Sequence, residues 1–563
     1  IEESDEKNYD SVKKKVADEI ENVAKQVGAD KIVLYPYVHL LFGAKPASPG
    51  VAVDLLSDIE KILRDRGFEV FRSPFGWYKA FTIRCKGHPL SELTRIITGD
   101  EGGEKEEEVV SQALKSEKKA RSELYILTPD GELIEADKFD YSNYPNLRKF
   151  YEYEKSGVRS VDTVPPHVKL MRRFEIADYE EGSDSGNLKW YPRGELIKNI
   201  IEDYVTEEIV KYGGMPVETP IMYDYHHPAL EKYLHRFPAR QYTLQSGDRK
   251  YFLRFAACFG QFLMKRKMTI SYRNLPLRMY ELTHYSFRRE QKGELVGLRR
   301  LRTFTMPDMH TLCSDMEMAK EEFRRQYELS RKVMADLGLD YEVAFRIVRD
   351  FYEDNKEFVH DMVKSLGRPA LIEIWDTRFF YFILKFEFNF IDALSKASAL
   401  STVQIDVENS QRFGITYINE KNEKVHPLLL HCSISGAVER DIYAMLETAH
   451  MKAERGEIPE FPLWIAPTQV RLIPVSQKHL ADVEKIAEKM KESRIRVDID
   501  DREETVGKKI REAGREWIPY IIVYGDRESV DGKLPVRVRR ENKTREMTVD
   551  ELIQEINLSL IHI

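Results

Sequence analysis

The stretch that most constrains this chain runs from Leu253 to His310, through LRFAACFGQF and LPLRMYELTHYSFRREQKGELVGLRRLRTFTMPDMH. It holds one isolated cysteine, Cys258, then an arginine-rich segment, then His310 closing a strand. Between Phe287 and Thr305 the pattern reads strand, turn, strand: FRRE, a polar QKGE turn with Lys292 and Gly293, then RRLRTFT. Alternation puts Arg288 and Glu290 on one face of the first strand, and Arg300, Arg302 and Phe304 on one face of the second. Such a ribbon suits a nucleotide, with guanidinium forks for phosphate and a ring for the base. It suits a solvated, salt-bridged antiparallel ribbon equally well.

The neighbouring segments decide between these. Upstream, GELIKNIIEDYVTEEIVKYGGMPVETPIM reads as an amphipathic helix leading to a strand that carries Pro220. Downstream, HPLLLHCSISGAVERDIYAMLE puts His431 on a strand and Arg440 at the opening of a helix, after Gly436. Helix and proline-bearing strand, arginine hairpin, and Gly-x-x-Glu-Arg strand-to-helix turn resemble, in this order, motifs 1, 2 and 3 of class II aminoacyl-tRNA synthetases. Three details resemble the archaeal threonyl branch of that class: Cys258 before the hairpin, TFTMPDMH after it, and His431 nine positions before Arg440. The likeness runs from about Val168 to the C-terminus and extends into the N-terminal region.

A chain of 563 residues exceeds one core, so three or four domains are expected. The fold class expected is multidomain α+β. Residues 1–98 alternate helix and strand as a small α/β unit. Residues 99–165 read as a linker region with a charged helix, GDEGGEKEEEVVSQALKSEKKA, and a hairpin at Pro129-Asp130-Gly131. Residues 166–460 form the large domain, with strong strand formers in ALIEIWDTRFFYFILKFEFNFIDAL and LSTVQIDVEN. Residues 461–563 alternate as α/β, with Leu480, Val483, Ile486, Ala487 and Met490 on one helix face.

With 42% hydrophobic and 32% charged residues the chain is of soluble, globular type, and no apolar run is long enough to span a bilayer. A net charge of −8 excludes a generally basic nucleic-acid coat but leaves room for a local basic patch. Cys85, Cys258, Cys313 and Cys432 lie far apart with no Cys-x-x-Cys pair, which fits a reducing cytoplasm.

The resemblance implies a class II antiparallel-sheet catalytic domain, an α/β anticodon-binding domain and an N-terminal editing domain similar to D-aminoacyl-tRNA deacylases. It implies threonine activation by ATP with Mg2+, transfer to tRNA(Thr), a homodimer built on motif 1, and a cytoplasmic location. Arg288 matches the motif 2 arginine that grips the substrate carboxylate and α-phosphate. Arg440 matches the motif 3 arginine on the γ-phosphate, Phe304 the adenine platform, Glu290 the reader of its amine, and Arg300 a second triphosphate clamp. Cys258, His310 and His431 match the ligands of one zinc ion per subunit, which would admit the threonine amino and hydroxyl groups. Asp308, Gln404 and Tyr381 are the implied polar contacts to the substrate.

His39, Tyr78, Lys79 and Glu92 match the editing positions that clear seryl-tRNA. The first strands of that domain have no counterpart here, so its pocket is expected to be incomplete. In the C-terminal domain Glu503, Glu528 and Arg537 are candidates for reading the anticodon, and a solvated charged edge strand is the alternative.

Bacterial members carry Asn-Cys-Pro-Gly-His where this chain has Ala-Cys-Phe-Gly-Gln, and Gln where it has Met306. Two rivals stand beside this reading. One is another class II specificity, prolyl or seryl; the Cys258, His310, His431 set argues against prolyl, and bound zinc would help separate them. A non-catalytic paralogue that only binds tRNA would have no use for Arg288, Glu290, Phe304 and Arg440.

Overall fold

A computed structural model describes residues 1–37, 45–77, 97, 122–157, 163–184, 186–234, 241–287, 295–378 and 380–561. The chain divides into two compact units, residues 1–109 and 110–563.

In the first unit, Val12, Ala17 and Ala24 bury one face of the helix Tyr9–Val27, which ends at Gly28 in the left-handed conformation (φ 64°). The helix Pro49–Asp65 starts with proline in its first turn and buries Ala52, Leu55, Leu56, Ile59 and Leu63. Strands Lys31–Leu34 and Glu69–Arg72 pair in parallel, as alternating helix and strand require. The four editing candidates His39, Tyr78, Lys79 and Glu92 and the charged segment 99–120 lie outside the described residues.

Among the described residues of the second unit, one sheet has ten strands. From one edge they are Leu133–Glu135, Ser122–Leu127, Ala370–Trp375, Glu342–Val348, Phe382–Ile391, Ala397–Asp406, Leu428–Ser433, Thr303–Cys313, Leu277–Ser286 and Met215–Pro216. Neighbours are antiparallel except Glu342–Val348 with Ala370–Trp375 and Leu277–Ser286 with Met215–Pro216. Helices Pro192–Lys211, Met316–Asp336 and Val438–Glu454 share the main core cluster with the sheet. There Tyr327, Phe345, Phe386 and Phe388 pack edge to face or tilted, each contributing about 2–3 kcal/mol by burial.

Three expectations change. Of the expected hairpin, 288–290 lie outside the described residues, and of 299–305 only 303–305 lie in a strand. The paired strands are Leu277–Ser286 and Thr303–Cys313, joined in register from Leu277↔Leu312 to Ser286↔Thr303, and Arg300 and Arg302 precede the second strand. The physical reason is burial: Leu277–Ser286 and Thr303–Cys313 bury most of their side chains, whereas Arg300 and Arg302 stand half-buried before the second strand. Pro220 does not lie in a strand; it follows the two-residue strand Met215–Pro216, next to the buried Thr219. The hairpin at 122–135, read as part of a linker, is an edge of the large sheet, pairing Ser122–Leu127 with Ala370–Trp375. Behind it, Glu154 of the helix Pro145–Ser156 binds Arg346 at 2.8 Å.

The C-terminal part holds a five-stranded sheet in the order Val497–Ile499, Val470–Pro474, Tyr520–Tyr524, Leu534–Val538, Lys543–Met547. The first three run parallel and the last two form an antiparallel hairpin. Helix Leu480–Glu492 buries Val483, Ala487 and Met490 against it, the face expected from its spacing. Trp517 seats this part on the large domain, with its ring 4.4 Å from Phe174 and 5.4 Å from Phe461.

Candidate functional site

Three adjacent strands set the centre of the site. Gln404 of Ala397–Asp406 lies opposite His431 of Leu428–Ser433, which lies opposite His310 of Thr303–Cys313. Side chains of directly opposed residues share a face, so all three project to one side of the sheet. The helix Cys258–Lys267 brings Cys258 to the same place. Its Sγ lies 3.2 Å from His310 Nε2 and 3.5 Å from His431 Nδ1, and the three donor atoms all fall within 4.8 Å of one another. A thiol and two imidazoles converging from three segments could hold a metal ion, and sets of this kind suit zinc with one position left open.

The surroundings act on the donors in opposite ways. Burial first, then His431 and Lys265, hold His310 well below the usual histidine range, so it is a neutral imidazole. Burial, then Asp308 and Asp406, push the Cys258 thiol well above its ordinary value, so a thiolate there requires a compensating cation. Phe262 closes the floor, edge-on to both histidine rings.

The expected substrate contacts ring this cluster. Asp308 stands two residues before His310 on the same strand face, opposite Glu281; burial and, next, that glutamate push its carboxyl up to about 8. The Tyr381 hydroxyl donates to Gln404 Oε1 at 2.6 Å, and the Tyr381 ring lies 5.0 Å from His431. Met306 accepts at its sulfur from the Ser433 hydroxyl, 3.0 Å away.

The residues expected to meet the nucleotide lie on and beside the same hairpin. Phe304 is packed by Tyr285 and Phe287, with ring centroids at 5.5 and 5.2 Å. Arg440, third residue of the helix Val438–Glu454, donates from Nε to Arg299 O at 3.1 Å and from Nη1 to Ala399 O at 3.0 Å. Its helix begins after Gly436 (φ 85°), where a Cβ would stand 2.4 Å from Leu400 O; only glycine fits this turn. The neighbouring Glu439 accepts from Thr305 N at 2.9 Å and binds Lys198 at 3.5 Å, tying the hairpin to the helix Pro192–Lys211. Arg300 ends the turn after Gly297, with its N–H directed to Val296 O. Arg288 and Glu290 lie outside the described residues.

The three anticodon candidates have different settings. Arg537 is exposed on its strand and lines a groove of about 550 Å3 with Arg511 and Arg539. Glu503 is exposed in the segment before the helix Val506–Arg515, and Glu528 is engaged in accepting from Gly525 N at 2.8 Å.

Sequence reasoning missed Gln261, Lys265 and Asp406, which support the histidines. The signals were present: Gln261 and Lys265 follow Cys258 by three and seven positions on one helix face, and Asp406 follows Gln404 by two on one strand face.

Comparison with known proteins gives the family. Residues 1–97 match the archaea-specific editing domain of threonyl-tRNA synthetase, residues 242–449 the tRNA synthetase class II core domain (G, H, P, S and T), and residues 469–557 an anticodon binding domain. The chain is 57% identical to the threonine–tRNA ligase of Thermococcus sibiricus, over 99% of its own length and 89% of the relative's. It is 56% identical to that of Pyrococcus furiosus, with the same coverage of 99% and 89%. Among solved structures, the RNA binding domain of threonyl-tRNA synthetase from Cryptosporidium parvum aligns with a TM-score of 0.62 at 22% identity, covering 71% of this chain and 98% of that one. Giardia lamblia prolyl-tRNA synthetase in complex with prolyl-adenylate aligns at 0.57 and 20% identity, covering 69% and 78%. At these identities the likeness is one of fold.

Proposed function

This chain belongs to the threonine–tRNA ligase family, and from that premise we propose that Cys258, His310 and His431 hold one zinc ion through which the enzyme selects threonine. As a class II ligase it joins threonine to tRNA at the expense of ATP. The observation that carries the zinc reading is the convergence of one sulfur and two imidazole nitrogens within 4.8 Å. Bound there, zinc would offer an open position to the amino and hydroxyl groups of the substrate. The selectivity problem calls for it. Valine is nearly isosteric with threonine, and an apolar pocket separates such a pair by only about a hundredfold.

The residues divide the work. Asp308 accepts from the substrate amine or hydroxyl. Tyr381, by donating to Gln404 Oε1, turns the amide NH2 of Gln404 into the donor for substrate. Arg288, placed by resemblance, holds the threonine carboxylate and the α-phosphate for in-line attack. Arg300 and Arg440 take the outer phosphates, with the helix N-terminus adding positive potential. Phe304, beside Phe287, forms the wall for adenine, and Glu290 reads its exocyclic amine.

Serine also carries a hydroxyl and lacks only a methyl group worth about 1–3 kcal/mol, so it is misactivated. His39, Tyr78, Lys79 and Glu92 of the editing-domain match would then hydrolyse seryl-tRNA. Glu503, Glu528 and Arg537 face the anticodon, with Arg537 placed best for a phosphate or base edge. The helix Pro192–Lys211 and the chain after it form the homodimer contact, where Val210, Met215, Ile221 and Met222 are exposed. Cytoplasmic residence follows from the reaction. Among the described residues no helix is long and apolar enough to cross a membrane.

Amino-acid-dependent ATP–pyrophosphate exchange tests the reading. Exchange with threonine, weaker exchange with serine and almost none with valine is the expected order; valine exchange near the threonine level would refute selection through the hydroxyl.

A further inference from the structure

The helix Cys258–Lys267 turns one stripe toward the two histidines, made of Cys258, Gln261 and Lys265. Gln261 and Lys265 are fully buried. Lys265 Nζ donates to His310 O at 3.1 Å and lies 3.4 Å from Gln261 Oε1. Asp308 O, which only accepts, lies 3.4 Å from Gln261 Nε2. Neighbours of opposite kind thus fix the amide, with its oxygen toward Lys265 and its nitrogen toward Asp308 O. That oxygen is also 3.0 Å from His310 Nδ1. Nδ1 must therefore carry the ring proton, and Nε2 keeps its lone pair toward Cys258 Sγ.

His431 is set the opposite way. Asp406 Oδ1 accepts from the N–H groups of Glu408 (2.8 Å) and Asn409 (2.9 Å), and Oδ2 accepts from Asn409 Nδ2 (2.6 Å). Asp406 is fully buried, and its Oδ2 lies 2.7 Å from His431 Nε2. Here Nε2 carries the proton and Nδ1 presents its lone pair to Cys258 Sγ.

We propose that Gln261 and Asp406 are positioning residues that lock His310 and His431 in opposite tautomers, one ligating through Nε2 and the other through Nδ1. The proposal rests on the zinc reading above. It explains how two residues in direct cross-strand register, with ring planes 75° apart, serve one metal: one ring offers its far nitrogen and the other its near nitrogen. Hydrogen-bond partners of this kind set ligand orientation, and their loss typically costs 10–100-fold in metal affinity.

Three variants separate orientation from mere packing. In Asp406→Asn, the oxygen stays with the two backbone N–H groups and the Asn409 amide turns its oxygen toward the new NH2, which faces His431 Nε2 and drives the proton onto Nδ1. Gln261→Met removes the acceptor at similar volume, and Gln261→Glu retains it. The measurement is the zinc dissociation constant of the full-length protein by competition with a chromophoric chelator, with thermal midpoints of the metal-free forms alongside. Asp406→Asn and Gln261→Met are expected to bind zinc about 10–100-fold more weakly, while Gln261→Glu stays within a few-fold of wild type and the metal-free midpoints do not follow the affinities. Wild-type affinity in both Asp406→Asn and Gln261→Met overturns the proposal, as does equal loss in Gln261→Glu and Gln261→Met. Wild-type protein that holds no zinc overturns the zinc reading itself, and this inference with it.

Discussion

His310 and His431 are directly opposed on adjacent antiparallel strands, with ring centroids 4.8 Å apart. Because the side-chain period of a strand is two, a one-residue slip would send either ring to the opposite face. The site is therefore locked to the register that the hairpin Leu277–Cys313 and the strand Leu428–Ser433 share.

Cys258→Ser and His431→Ala each remove one donor from this set. Zinc content is expected to fall well below one per chain, and threonine-dependent exchange to fall about a hundredfold or more. ATP binding, measured calorimetrically, is expected to change little, because Phe304 and Arg440 are untouched. Full threonine exchange without zinc would show that the triad is structural.

Arg440 holds two backbone carbonyls, those of Arg299 and Ala399, with its guanidinium fork. Lysine has no fork, so Arg440→Lys is expected to behave as a loss rather than a conservative change. Exchange should fall about 100–1,000-fold, equivalent to roughly 3–4 kcal/mol of transition-state stabilisation, with zinc content unchanged. Near-normal exchange would remove Arg440 from the ATP clamp.

Arg346 joins Glu154, Glu373 and Glu387 in one buried cluster, with Lys385 also on Glu387. Against the upward push of burial, Arg346 and then Lys385 hold the Glu387 carboxyl well below the usual carboxylate range. A depressed carboxyl contributes stability that is present above the unfolded value, near pH 4–5, and is lost as pH falls through the folded value. Arg346→Met removes that contribution and leaves buried carboxylates uncompensated, at a cost of about 3–5 kcal/mol near pH 8. Near pH 5 these carboxyls can take up protons, and the cost is expected to shrink. Urea unfolding at the two pH values checks it; an equal loss at both would mean the cluster acts through packing alone.

Arg537 stands exposed beside Arg511 and Arg539, far in sequence from the activation residues. Arg537→Ala is expected to raise the KM for tRNA several-fold in aminoacylation while leaving ATP–pyrophosphate exchange at the wild-type level. A parallel fall in exchange would show that the two parts of the chain are not separable in this way.

Much of the fold was legible because local pattern and burial agree. Val483, Ala487 and Met490 fall on one helix face and do bury it, and the β-rich run from Ala370 to Asp406 does form three strands. The strand Leu277–Ser286 was not read because, buried along most of its length, it gives a weak period-two signal. The segment at 122–135 read as a linker because its partner, Ala370–Trp375, is far away in sequence. Cys258, His310 and His431 were legible through their family resemblance; spacing alone favours ordinary core residues. Gln261 and Asp406 shared a face with Cys258 and Gln404 by spacing, but only the structure shows which histidine nitrogen each one meets.

The most direct test of the central claim is zinc content by elemental analysis, read together with threonine-dependent ATP–pyrophosphate exchange before and after chelation. The account predicts one zinc per chain, loss of exchange when it is stripped, and recovery on adding zinc back. Active protein without zinc, or zinc whose removal leaves threonine exchange intact, would contradict it.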